Sequence, residues 1–210
     1  DANGCSASDT VSVNVWNVPL VDAGADQAVC EGNSVTLSGA GANTYTWDNS
    51  VLDGVAFTPL STSTYTLTGI DGNGCVNSAQ VEVTVNALPT VSAGAAVSVC
   101  TGDSAILNGS GAVSYTWDNG ITDGVHFIPV TANTYTVTGT DANGCENTDQ
   151  VDVTINSLPT VDAGADQTVC EGDLVTVSGA GASSYTWNNG VSDGVAFNAT
   201  TTATYTVIGA

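Results

Sequence analysis

The 210-residue chain contains no Lys, no Arg, one His and 21 Asp plus Glu, giving a formal charge of −21, where about twenty basic residues would be ordinary. Without cations it cannot hold a nucleic-acid backbone or an anionic membrane surface, and it has no Arg clamp or Lys cradle for phosphate, no Schiff-base or isopeptide Lys and no trypsin site. Its 42% apolar content argues against a disordered acidic tail, and no apolar run approaches the roughly 20 residues of a membrane span, so direct membrane insertion is not expected.

In chain order, the same elements return every 70 residues. Cys5, Cys75 and Cys145 keep that spacing, as do Pro19, Pro89 and Pro159, Cys30, Cys100 and Cys170, and Trp47, Trp117 and Trp187. The register holds without an insertion, so the chain is three periods. It opens on DANGC, matching DGNGC at 71–75, and closes on TYTVIGA, matching TYTVTGT at 134–140. The expected organisation is residues 1–17 as the C-terminal strand portion of a preceding unit, then units 18–87 and 88–157. Residues 158–210 form a unit lacking its last strand, completed by the next copy. Two origins fit: a stretch of a longer tandem array, or a protomer whose first 17 residues complete a neighbour. The partners implied are neighbouring copies of the repeat, head to tail. The junctions NVPLV, ALPTV and SLPTV are short and stiffened by Pro.

Within 18–87 the apolar residues alternate. Val35 and Leu37 share a face, as do Tyr45 and Trp47, Val55 and Phe57, Tyr65 and Leu67, and Val81, Val83 and Val85. This is period two in β-branched and aromatic residues, with no helical period. Turn signals at Glu31-Gly32-Asn33, Gly39-Ala40-Gly41, Asp53-Gly54 and Asn73-Gly74 separate the runs. The fold class predicted is all-β: tandem Ig-like or PKD-like β-sandwiches. Seventy residues bury a marginal core, in which one Trp, two Tyr and one Phe supply most of the large burial.

The pattern PTVDAGADQTVCEGDLVTVSGAGASSYTWNNG, followed by TYTVIG, and TDANGC followed by VDVTIN, resembles the PKD-like and Ig-like repeats of large Bacteroidota cell-surface proteins. These include type IX-secreted adhesins and gliding-motility-associated proteins. The resemblance covers all three units. It implies secretion, tandem architecture and an Ig-like sandwich, and it carries over no catalytic residue.

Six Cys in a chain without Met suggest an oxidising, extracellular setting. Two pairings stay open. One staples each unit internally, Cys30–Cys75 and Cys100–Cys145. The other joins units, Cys30–Cys145, with Cys100 meeting the next copy of Cys5. In a seven-stranded order Cys30 and Cys75 lie at opposite poles, about 30 Å apart, beyond a disulfide's reach. Loss of a short strand between Trp47 and Phe57 would reverse that parity and restore the internal staple.

No catalytic constellation is expected. His126 is the only His, and Ala56 and Ala196 stand at its equivalents. Calcium is the candidate ligand, because oxygen-rich loops suit that hard cation. The residues are Asp1 and Asn3, Asp71 and Asn73, Asp141 and Asn143, and Asp53, Asp123 and Asp193. The competing reading is turn chemistry, since Asp-x-Asn-Gly and Asp-Gly make tight turns. Asp22 and Asp26 recur as Asp162 and Asp166 but become Ser92 and Ala96, so no general site uses them. Asp9-Thr10-Val11 and Asp103-Ser104-Ala105 fit the Bacteroidota O-glycosylation pattern, making Thr10 and Ser104 candidate acceptors. Trp16, where the other repeats have Asn86 and Asn156, is a candidate for packing on a neighbour. The expected function is a non-enzymatic structural segment of a giant secreted surface protein or extracellular filament, which extends and stiffens a fibre. Adhesin modules binding carbohydrate or protein, and a spacer of a secreted enzyme, are the alternatives.

Overall fold

The structure, a computed structural model, describes residues 4–210. Asp1 and Asn3, named above as candidate ligands, lie outside the described residues. By packing, the chain divides into two compact units. One holds Asp1–Gly94, Asn108–Gly124 and Thr136–Gln150; the other holds Ala95–Leu107, Val125–Tyr135 and Val151–Ala210.

The first repeat contains six strands: β1 (Gln27–Cys30), β2 (Val35–Thr36), β3 (Thr44–Trp47), β4 (Ala56–Phe57), β5 (Ser63–Ile70) and β6 (Val76–Asn86). Four of them form one sheet in the order β1-β6-β5-β3, and β2 pairs with β4 in another. The alternation explains how the sheets meet. Trp47 of β3, Tyr65 and Leu67 of β5, and Val81 and Val83 of β6 are buried in one cluster with Val35 of β2 and neighbouring Leu37. Phe57 packs on it edge-to-face against Tyr65, ring centroids 5.2 Å apart. Two sheets around one aromatic-centred core make an Ig-like sandwich.

Strand β6 lies between two partners. It runs antiparallel to β5, with Val81 opposite Tyr65 and Val83 opposite Ser63. It runs parallel to β1, with Val83 opposite Gln27 and Cys30 opposite Asn86. Cys75 immediately precedes β6, whose eleven residues place Cys75 about 36 Å from the Cys30 end at the strand rise per residue. The expectation that strand count decides this separation is corrected here. No strand lies between Trp47 and Phe57, yet the two Cys are at opposite poles. The parallel β1–β6 register sets the distance.

The second repeat repeats the plan with β7 (Val97–Cys100), β8 (Ser114–Trp117), β9 (Asn133–Thr140) and β10 (Glu146–Asn156), ordered β7-β10-β9-β8. Trp117 pairs with Val137, and Val153 pairs in parallel with Val97. The counterpart of the β2–β4 pair shrinks to one bridge, Ala105 to Phe127. The third repeat has β11 (Leu174–Val175), β12 (Tyr185–Trp187), β13 (Phe197–Asn198) and β14 (Val207–Gly209), paired only as β11-β13 and β12-β14.

One close approach recurs in every repeat. Gly41 has φ +85, and a Cβ there would collide with the carbonyl oxygen of Leu20. Gly111 and Gly181 stand against the Thr90 and Thr160 carbonyls in the same way. The chain entering each sandwich passes directly over this glycine. Gly41→Ala is expected to lower stability by at least about 2 kcal/mol, from left-handed strain and forced displacement of the entering chain. Urea unfolding reads this, and an unchanged midpoint would contradict the close approach.

Candidate functional site

The one disulfide among the described residues is Cys30–Cys145, with Cα atoms 5.6 Å apart and a sequence separation of 115. It joins the end of β1 in the first repeat to the turn before β10 in the second. Of the two pairings left open by the sequence, the one between repeats is present for this pair. Cys75, Cys100 and Cys170 carry free thiols, and Cys5 is exposed.

The Asp-Ala-Asn-Gly-Cys loop explains how Cys145 is held. Asp141 Oδ1 accepts N–H bonds from Asn143 and Cys145, both 2.8 Å. The Asp141 N–H donates to the Cys145 carbonyl at 2.9 Å. Gly144 supplies the φ of +80 that closes the turn. Both main-chain groups of Cys145 are thus fixed by one aspartate, and its side chain is fully buried. Asp71 builds the same loop around Cys75, accepting from Asn73 at 2.8 Å and from Cys75 at 2.9 Å. One oxygen, Oδ1, of each of these two aspartates, considered above as calcium ligands, accepts two amide donors.

The Asp before each Asp-Gly turn has another task. Asp53 Oδ1 accepts the Trp47 indole N–H at 2.9 Å and the Gly39 N–H at 2.7 Å. Asp123 does the same for Trp117 and Gly109, at 2.8 and 2.6 Å. Asp193 does so for Trp187 and Gly179, at 2.8 and 2.6 Å. One carboxylate oxygen therefore ties three segments together and satisfies the buried indole. Sequence reasoning missed this pairing. The available signal was the constant spacing of six between Trp and Asp in all three repeats. The Gly179 N–H, then the Trp187 indole, hold the Asp193 carboxyl below its ordinary value, since both donate to its charged form. The Ala93 N–H, followed by that of Gln150, does the same to Asp149.

A hydroxyl knot sits beside each Trp. Tyr45 Oη accepts the Ala42 N–H at 2.9 Å and donates to the Ala42 carbonyl at 2.7 Å. Tyr115 and Tyr185 make the same pair of bonds to Ala112 and Ala182. This arrangement is similar to the tyrosine corner of Ig domains.

The other candidate residues lie on the surface. Thr10 is exposed, and its N–H donates to Asp9 Oδ1 at 2.8 Å. Ser104 is exposed, its hydroxyl 3.5 Å from His126 Nδ1. Trp16 is exposed, whereas Trp47, Trp117 and Trp187 are buried. No group of three or more His, Cys, Asp or Glu side chains converges as a metal site among the described residues.

The third repeat carries a cleft of about 720 Å³ lined by Val169, Val175, Val177, Trp187, Phe197 and Tyr205, among others. Their counterparts in the first repeat, Val29, Val35, Leu37, Trp47, Phe57 and Tyr65, close around a core. Residues 167–170, which correspond to β1, form no strand.

No protein-family model matches the chain, and no curated protein does. Solved structures with tandem Ig domains align with it. Titin domains Z1Z2, crystallised with telethonin, share 15% identity over 69% of this chain and 100% of theirs, with a TM-score of 0.29. The N-terminal eight Ig domains of Down syndrome cell adhesion molecule share 15% over 80% of this chain and 33% of theirs, at 0.34. The insect immune protein hemolin shares 16% over 70% of this chain and 49% of its own, at 0.36. The chain therefore spans a third to a half of the latter two. The Ig-like description rests on the chain's own two sheets and Trp-centred core.

The aspartate contacts can be checked in two ways. Because the folded carboxyl of Asp193 titrates below its unfolded value, its contribution is present above about pH 4 and is lost as pH falls through the folded value. Melting temperatures of wild type and Asp193→Asn should run parallel at neutral pH and converge in acid; parallel curves throughout would contradict it. Because the turn aspartates already serve amide donors, EDTA is expected to leave the melting temperature unchanged. A drop on chelation, restored by calcium, would assign these loops to the ion.

Proposed function

We propose that this chain is a non-enzymatic structural segment of a secreted surface protein or extracellular filament, in which tandem Ig-like modules extend and stiffen a fibre. The observation that carries this reading is the Cys30–Cys145 bond between successive repeats. A module joined to its neighbour by the peptide chain alone can rotate about the junction. A covalent link from the end of β1 to the next repeat adds a second tether, and two tethers remove most of that freedom. Such a bond adds little to the core of either repeat, so its physical effect falls on the connection between them.

The charge supports the same reading. At −21 per 210 residues, parallel fibres repel and resist clumping. The absence of Lys and Arg leaves trypsin-like proteases nothing to cut. The resemblance of the repeat motifs to Bacteroidota surface proteins supports an extracellular, cell-surface location, and so does the disulfide.

Pulling on single molecules tests the mechanical role. With Cys30–Cys145 closed, the residues between the partners are shielded from extension. Reduction should add about 400 Å of contour length at unfolding, taking ~3.5 Å per extended residue. Equal contour lengths with and without reductant would remove the disulfide from the load path and with it this reading.

A further inference from the structure

An Asn followed by Gly can lose its side-chain amide without an enzyme. The Gly nitrogen attacks the Asn Cγ, a cyclic imide closes and ammonia leaves; water then opens the ring. Glycine favours the attack because it has no Cβ to hinder it. Five such steps lie within the described residues, at Asn73, Asn108, Asn119, Asn143 and Asn189. By the residue that follows, the five are equal; by their hydrogen bonds they are not.

At three of them the attacking nitrogen is engaged. Gly74 and Gly144 donate their N–H to the carbonyls of Asp71 and Asp141, both at 3.2 Å. The N–H groups of Asn73 and Asn143 are held by the carboxylates of the same two aspartates. Gly109 donates to Asp123 Oδ1 at 2.6 Å, the oxygen that also takes the Trp117 indole. Attack at these sites must first break a bond that shapes a cysteine loop or ties Trp117 into the core.

Asn119 and Asn189 stand differently. Both are exposed, two residues after the buried Trp117 and Trp187. Both have left-handed backbone, φ 53 and 54, in a turn. Asn119 falls in the single helical turn Asp118–Gly120, where the Ile121 N–H reaches the Asp118 carbonyl only at 3.5 Å. Among the described residues, neither Gly120 nor Gly190 donates its N–H to a side chain, or to a carbonyl outside its own turn. Asn119 Nδ2 donates to Asp118 Oδ1 at 3.1 Å, and Asn189 Nδ2 to the Thr204 carbonyl at 3.2 Å. Both bonds use the nitrogen that departs, and neither engages Cγ. Left-handed backbone is costly for a residue with a Cβ, so opening these turns relieves strain, whereas opening the other three breaks a bond. In the first repeat Ser50 follows Asn49 at this place, and its side chain hinders the attack.

We propose that Asn119 and Asn189 are sites of spontaneous deamidation, converted to aspartyl and isoaspartyl residues while Asn73, Asn108 and Asn143 are retained. At each site the Gly N–Cγ bond forms and the Cγ–Nδ2 bond breaks. The proton of the Gly nitrogen passes through solvent to the leaving amine, which departs as ammonia. One water then opens the imide at either carbonyl and leaves a carboxylic acid. Each conversion replaces a neutral amide by a carboxylate, so two of them take the formal charge from −21 to −23. An older chain is therefore more acidic than a new one, and the change falls at turns that hold neither a cysteine nor a core indole.

The test ages the 210-residue chain in neutral buffer, folded and in parallel in concentrated urea. Each Asn-Gly peptide is followed by chymotryptic digestion and mass spectrometry, with a synthetic isoaspartyl peptide as the standard for Asn189. In the folded chain, Asn119 and Asn189 should show the amide-to-acid mass gain about tenfold faster than Asn73, Asn108 and Asn143, the factor that one hydrogen bond on the attacking nitrogen supplies. In urea the five rates should converge. Ion exchange of the aged folded chain should resolve two successively more acidic species, and Asn119→Gln with Asn189→Gln should remove them, since the longer side chain closes its ring slowly. Any of Asn73, Asn108 and Asn143 reacting as fast as Asn119 or Asn189 in the folded chain would overturn the proposal. So would the same ranking in urea, which would trace the difference to sequence alone.

Discussion

The structure depends on one strand register. In each complete repeat the last strand is hydrogen-bonded on both sides, antiparallel to its hairpin partner and parallel to the first strand. That position makes it the keystone of the larger sheet and the donor of two buried Val to the core. Its length of eleven residues also separates the two Cys of a repeat by far more than a disulfide spans. The same strand that completes a module therefore forbids that module an internal staple, and Cys30 bonds to Cys145 of the next repeat instead.

Up to residue 210 the third repeat shows no strand at that place, and its strands pair only two by two. The first strand of a repeat pairs only with the last one, so residues 167–170 lose their strand character. The hairpin partner shrinks from eight residues in β5 to three in β14. The core contracts to Val175, Val177 and Trp187 as its buried members. The aromatic knot survives because it does not depend on the keystone. Trp187 with Asp193, and Tyr185 with Ala182, keep the bonds seen in the other repeats.

A chain without Lys or Arg has no side-chain cation but its single His with which to pair its carboxylates. Here they turn to N–H donors. Asp53, Asp123 and Asp193 each hold an indole and a backbone amide, and Asp71 and Asp141 each hold two amides around a Cys. The acid residues inside the turns thus take a structural part that in most domains is shared with ion pairs. The rest of the charge is left on the surface.

The sequence by itself determined the 70-residue period, the all-β class and the core positions Val35, Leu37, Trp47, Tyr65, Leu67, Val81 and Val83. Each comes from local physics: period-two alternation, β-branched and aromatic residues, and Gly- or Asn-centred turns. It did not decide between the two partners of Cys30, and it made that choice hang on a strand count which the structure shows to be irrelevant. Nor did it connect Trp47 to Asp53: their spacing of six recurs in every repeat, but the Gly39 amide that shares the oxygen comes from a third segment, which no local pattern marks. Tertiary structure decided both, since each depends on which segments lie side by side after the sheets have formed. The parallel placement of the first strand beside the last is the clearest case: the alternation of Val81, Val83 and Val85 was legible alone, but only its pairing with Gln27–Cys30 sets where the cysteines face.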